Sequence, residues 1–248
     1  MFSMYRYNSM AMRPDITGQT TGRPALSRVR KLIRDKWPEA LETATDHSRL
    51  IFTSDLEAFD QMFPACGIPY GQLVEITGGP SSGKTGLVLH LLAGLTKIAR
   101  AAYVDPGGSF FPGAATACGV DLDRLLLVRP TEFHAIALGQ KQHSTLQHAM
   151  RTVELLFQHQ AVGCVVCDLV GQKDTLSMAW CHRLRTRTVR ARGLVLFVTE
   201  NNSHIIPPSM ISLRLEVSRK NAAMILVNTT KSRISKEGVR AEVRFNGC

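Results

Sequence analysis

The chain has 248 residues, 44% hydrophobic and 6% aromatic, which suits one α/β domain of about 200 residues plus an extension. No run approaches the roughly 18 apolar residues needed to cross a bilayer. The N-terminal MFSMYRYNSMAMRPD lacks the apolar stretch of a secretory leader, so a cytoplasmic location with no membrane contact is expected. Thirty Lys and Arg outweigh 20 Asp and Glu, for a net charge of +10. That balance fits a polyanionic partner such as DNA, and equally a basic surface kept for solubility or for an acidic protein.

Residues 1–23 mix Met, Tyr, Ser, Gly, Thr and Pro without a period and read as disordered. From Pro24 to Trp37, Leu26, Val29, Leu32 and Ile33 share one helical face, with Arg and Lys elsewhere. This amphipathic helix, closed by Pro38, packs on its own domain or offers its stripe to another subunit. Ser54 can cap a short helix carrying Leu56, Phe59 and Phe63. Gly67, Pro69 and Gly71 then turn the chain into a buried strand, Leu73 to Thr77.

The next nine residues are Gly78-Gly79-Pro80-Ser81-Ser82-Gly83-Lys84-Thr85-Gly86, which contain the full Gly-x-x-x-x-Gly-Lys-Thr spacing of a phosphate-binding loop. Glycines let backbone N–H groups wrap a phosphate, and the following helix N-terminus adds positive potential. Lys84 is expected to reach the β- and γ-phosphates and Thr85 to ligate Mg²⁺. Leu87, Leu91 and Leu95 recur at helical spacing behind the loop.

Beyond it, strands are expected at Ala101–Asp105, Leu125–Val128, Val162–Asp168 and Leu194–Val198. Helices are expected within Phe110–Cys118, His143–Gln160 and Thr175–Ala191. The alternation predicts an α/β fold with a mainly parallel central sheet flanked by helices. After Pro207-Pro208, the segments Ile211–Val217, Met224–Thr230 and Val239–Phe245 alternate without helices between them, which predicts antiparallel edge strands at the C-terminal end. Of the six cysteines, Cys164 and Cys167 have the spacing of a metal or redox pair. They lie in a predicted strand, however, where residues three apart point to opposite faces, so buried structural thiols are expected.

Phosphate chemistry needs a second acid at the end of a neighbouring strand to hold Mg²⁺ through water, and Asp168 closes CVVCD in that place. Asp105 closes the intervening strand and also faces the carboxyl edge, where open α/β sheets bind ligands. Arg183, Arg185, Arg187, Arg190 and Arg192 fall in HRLRTRTVRAR, with no acid between Thr175 and Thr199. At about 100° per residue, Arg183, Arg187 and Arg190 cluster on one side, and Arg185 and Arg192 lie nearly opposite. DNA phosphates, an acidic partner or plain solvent can face such a surface. Aromatics that would stack unpaired bases are not interleaved there.

The segment from Ile51 to Val128 resembles the core of RecA recombinases in FTSDLEAFD, GIPYGQLVEITG, GGPSSGKT, YVDP and CGVDLDRLLLVRP, in that order. CVVCDLV, GLVLFVTEN and LRLEVSRKNAAMILVNTTKSRI extend the likeness to roughly residues 50–245. The resemblance implies a RecA-like nucleotide-binding core over 48–248, behind a flexible segment with an amphipathic helix over 1–47. It also implies ATP and Mg²⁺ as cofactors.

The departures are specific. Where active recombinases carry a catalytic glutamate two residues after the strand-end acid, this chain has Gly107. Loss of such a base costs about 10²–10⁴-fold in rate. The aromatic that stacks on adenine falls at Ala114, and the glutamine that senses the γ-phosphate falls at Glu200. The two DNA-binding loops shrink to Leu169–Asp174 and Asn201–Pro208. Lys231 and Arg233 match the basic pair that reaches a neighbouring subunit's nucleotide in filaments, although two exposed charges on an edge strand would look the same.

This combination resembles the ImuA family, RecA-like accessory proteins of the SOS response and mutagenic translesion DNA synthesis. The resemblance implies an ATP-binding accessory factor with weak or no hydrolysis, which assembles with itself or with a translesion polymerase. The alternative is a working DNA-dependent ATPase that forms filaments on single-stranded DNA. Lys84 would then be joined in catalysis by Glu200 or Asp105.

Overall fold

In the computed structural model of the chain, which describes residues 51–130 and 144–245, a two-residue strand β1 (Ile51–Phe52) pairs antiparallel with β2 (Ile68–Pro69). The one-turn helix α1 (Glu57–Asp60) lies between them. Here the expected Ser54 cap is not formed: the N-cap of α1 is Leu56, which makes no side-chain cap, and Phe63 lies beyond the helix end. Ser54 is buried, and its N–H and hydroxyl both donate to the Asp60 carboxylate. The Asp60 carboxylate takes the Ser54 hydroxyl proton as a charge-assisted acceptor, and Ser54 Oγ itself accepts from the Leu56 N–H, ahead of the helix, and not from an N–H within α1.

The chain then alternates. β3 (Leu73–Thr77) leads into α2 (Lys84–Ile98), β4 (Ala101–Val104) into α3 (Pro112–Ala117), and β5 (Leu125–Val128) precedes α4 (Thr145–Gln158). β6 (Cys164–Asp168), α5 (Met178–Arg190) and β7 (Leu194–Thr199) follow, and β8 (Leu213–Asn221), β9 (Met224–Ser232) and β10 (Arg240–Arg244) close the fold. Every residue of β3, β6 and β7 is buried, as expected of strands covered on both faces. Ser144 and Ser177 cap α4 and α5, each hydroxyl accepting a backbone N–H three residues on.

The sheet runs β10-β9-β8-β3-β7-β6-β4-β5. It is parallel from β8 to β5 and antiparallel from β8 to β10. Two details differ from the sequence expectation. β8 and β9 are nine residues each, and β8 is parallel to β3, so only its pairing with β9 is antiparallel. The strand between β3 and β6 is β7, and β4, which leads to Asp105, lies beyond β6 and does not intervene; Asp168 is thereby set about 10 Å to the side of the loop strand. One face packs on α2 through Leu87, Leu91 and Leu95, the other on α4 and α5 through Met150, Val153, Phe157, Cys181 and Leu184.

Cys164 and Cys167 fall in opposite clusters, both fully buried, and burial pushes both thiols well up. The Pro24–Trp37 helix and the whole 1–47 segment lie outside the described residues. Among the described residues no helix is long and apolar enough to cross a membrane.

Candidate nucleotide site

β3 delivers the chain to the loop, and α2 carries it away. The turn is tight enough to demand glycine at two positions. A Cβ on Gly78 would sit 2.4 Å from Ser82 Oγ and 2.6 Å from the Val217 carbonyl, and Gly83 lies at φ +92°, with Ile225 packed beneath it. Arg219 on β8 donates to the Ser81 carbonyl at 2.8 Å, and the Phe245 ring lies against Gly83 and Gly86 while stacking on His90 at 4.6 Å. The three C-terminal strands therefore brace the loop. Arg219 and Phe245 were not singled out from sequence. Their contacts are 138 and about 160 positions away, and no local pattern marks them.

Lys84 is buried, with its ammonium inside the loop, donating to the carbonyls of Gly78 (2.9 Å) and Gly79 (3.1 Å). Thr85 is exposed in the first turn of α2, whose N-cap Gly83 supplies no side chain to cap it. Ser82 Oγ is buried without a hydrogen-bond partner. An unpaired hydroxyl, an ammonium and an uncapped helix N-terminus around a glycine cradle fit a phosphate with its Mg²⁺. Pro80 and Ser81 form the exposed lip, with Ser81 at φ +57°.

The acids divide. Asp168 is buried at the end of β6 and accepts from Tyr103 Oη, Ser109 Oγ and the Val170 N–H. Asp105 is 1% exposed and accepts from the N–H groups of Ser109 and Phe110 and from Arg129 Nε at 3.2 Å. Gly107 is exposed, with its nearest obstacle to a Cβ at 3.8 Å. Glu200 is exposed at the end of β7. Its carbonyl accepts from Thr77 Oγ1, and it lines a cavity of about 250 Å³ between the loops that follow β6 and β7, with Gly171, Lys173 and Asn201. Asn201 Nδ2 comes 4.0 Å from where a Cβ on Gly79 would be, so the end of β7 reaches the loop.

Glu75, a further residue not picked out from sequence, sits fully buried in the middle of β3. Arg214 Nε donates to it at 2.6 Å and Thr199 Oγ1 at 3.0 Å. A lone acid inside the apolar run LVEIT was a readable signal.

Lys231 and Arg233 are held on the 208–210 turn, donating to the carbonyls of Pro208 and Ser209. Burial and the neighbouring Arg233 and Arg214 lower the Lys231 pKa. On α5, Cys181, Leu184 and Thr188 face inward while Arg183 and Arg190 are exposed and Arg187 is half-buried. The 182–192 run itself holds no aromatic, but one lies just ahead of it. Arg183 lies 4.2 Å over the Trp180 ring, brought under it by the three-residue helical spacing.

A braced phosphate loop at the carboxyl edge of a mainly parallel sheet, with a strand-end acid one strand removed, defines a P-loop α/β domain. The RecA N-terminal domain family matches residues 40–173, more than half of the chain, and the chain belongs to that family. Protein RecA of Rippkaea orientalis is 37% identical over 106 residues, covering 42% of this chain and 27% of that protein. Protein RecA of Roseiflexus castenholzii is 37% identical over 115 residues, covering 46% and 29%. That of Lactobacillus delbrueckii subsp. bulgaricus is 34% identical over 115 residues, covering 46% and 31%. The matched stretch thus spans under a third of each of these relatives.

Proposed function

We propose that this chain binds ATP with Mg²⁺, turns it over weakly or not at all, and serves as an accessory factor in the DNA damage response and translesion synthesis. One observation carries the reading. An intact phosphate loop faces a carboxyl edge at which Gly107 stands in place of a water-activating carboxylate. Asp105 is engaged by Arg129 and two backbone N–H groups, which leaves it poorly placed as a base. The loop and Lys84 would hold the phosphates, Thr85 and Asp168 the metal shell, and Mg²⁺ would offset phosphate charge.

A second reading is an active DNA-dependent ATPase that forms filaments. It is favoured by the arginine face of α5, where Arg183 on Trp180 provides a cationic stacking platform beside Arg187 and Arg190. Under either reading, Lys231 and Arg233 would act in trans on a neighbour's nucleotide, and residues 1–47 would serve self-association or polymerase docking.

Nucleotide binding and hydrolysis, measured with and without single-stranded DNA and with Lys84→Ala as the blank, separate the readings. Binding without DNA-stimulated turnover is the expected outcome. Stimulated turnover would mean that Glu200 or Asp105 acts as the base. Light scattering on a chain lacking residues 1–38 tests assembly, and an unchanged oligomer would refute a role for that segment.

A further inference from the structure

Asp168 is held by more donors than a strand-end carboxylate needs. Tyr103 Oη–H at 3.0 Å and Ser109 Oγ–H at 2.8 Å both donate to its Oδ2, and the Val170 N–H donates to Oδ1 at 3.1 Å. A carboxylate oxygen offers about two lone pairs. Oδ2 is therefore fully used, and a water in a metal's shell meets only what is left on Oδ1.

The two hydroxyls differ in kind. Tyr103 is 1% exposed, belongs to β4 and packs on Phe110 at 4.7 Å, so it is fixed. Ser109 is exposed and follows Pro106-Gly107-Gly108, with Gly108 at φ +70°. Its Oγ also lies 3.4 Å from Asp105 Oδ1. One proton serves one acceptor at a time. Asp105, held in place by Arg129 and Phe110, therefore offers Ser109 a second partner when it leaves Asp168.

We propose that Ser109 is a positioning residue that competes with the water shell of Mg²⁺ for Asp168 Oδ2, so that metal-assisted nucleotide binding turns its hydroxyl towards Asp105. This deepens the nucleotide-binding reading and rests on Asp168 being the acid that faces the metal. The buried Tyr103 keeps Asp168 oriented throughout, and the exposed Ser109 is the exchangeable donor. Tyr103 and Ser109 belong to the same strand-and-turn unit as Gly107, where a water-activating carboxylate would stand, so that unit governs the metal acid without supplying a base.

The test is equilibrium binding of a fluorescent ATP analogue to the full chain, titrated with Mg²⁺, for the wild type and for Ser109→Ala, Ser109→Thr and Lys84→Ala. Ser109→Ala should lower the half-saturating Mg²⁺ about three- to tenfold, the scale of one net hydrogen bond. Ser109→Thr, which keeps the hydroxyl, should titrate as the wild type does, and all three Lys84-bearing chains should bind alike in EDTA. An unchanged or raised midpoint in Ser109→Ala, or an equal shift in Ser109→Thr, overturns the competition while leaving nucleotide binding in place. A wild type that binds no better than Lys84→Ala overturns the nucleotide reading itself, and this inference with it.

Discussion

The carboxyl edge of the sheet has two sides that meet at β7. On the β8–β10 side, each contact serves to hold the phosphate loop in shape: Val217 against Gly78, Ile225 and Phe245 against Gly83, Arg219 on Ser81, and Arg214 on the buried Glu75 of the loop strand. On the β4–β6 side, the polar groups are bound to one another. Asp105 is tied to Arg129, Asp168 is shared by Tyr103 and Ser109, and Gly107 opens to solvent. A site that grips a phosphate but ties up its acids separates nucleotide binding from turnover, and each side can be perturbed alone.

The largest effect is expected from Arg214→Ala. Glu75 is 1% exposed, and the substitution would leave its charge buried with Thr199 as the remaining donor. Breaking a buried pair on one side costs about 3–5 kcal/mol. Denaturant melts should show that loss, and a change under about 1 kcal/mol would mean that the ion pair does not brace β3. Next comes Lys84→Ala, which removes the ammonium inside the loop. Nucleotide affinity should fall by about 2–5 kcal/mol, the range for truncating one partner of a buried charge contact, with the melting temperature nearly unchanged. Equal affinity in a filter-binding assay would remove the site from the loop.

Gly107→Glu addresses the other side. A Cβ there meets nothing closer than 3.8 Å, and Gly107 does not lie at positive φ, so a side chain fits. We expect phosphate release to rise about tenfold, short of the roughly 10²–10⁴-fold that a well-placed base supplies, because Asp105 and Asp168 stay bound to their present partners. No rise at all would show that the Ser109–Asp105–Asp168 network, and not the glycine, limits turnover.

How far the sequence anticipated this division depends on the range of the interaction. The bounds of β3 and β5 follow from their apolar runs, and the loop from its spacing, because these are set by neighbours in the chain. The placement of β7 between β3 and β6 was not legible, since periodicity says which faces are buried and nothing about which strands adjoin. Ser54 does not cap α1 because its hydroxyl is held between Asp60, six residues on, and the Leu56 N–H, a geometry that residue type alone does not reveal. Arg214, Arg219 and Phe245 reach the loop strand or loop from more than 130 residues away. Trp180 is the exception, being near enough to Arg183 for helical spacing to have revealed it.

The smallest expected effect is an absence of reaction, and it reports on the rigidity of the acid side. Cys164 and Cys167 are fully buried in the strand that ends at Asp168, Cys181 is buried on α5, and Cys66 is exposed. Of these four, only Cys66 should react with a soluble maleimide in the native state, because thiolate formation needs solvent. Burial also pushes the Cys181 thiol from 9.0 up to about 11. A group whose folded pKa is raised stabilises the fold below its unfolded value. That contribution should fade as the pH climbs from about 9 through about 11, and Cys181→Ala should flatten that decline. Rapid native labelling of Cys164 or Cys167 would mean that β6 opens locally. The carboxylate at its end would then be mobile, and the contrast between a braced loop and a locked acid side would collapse.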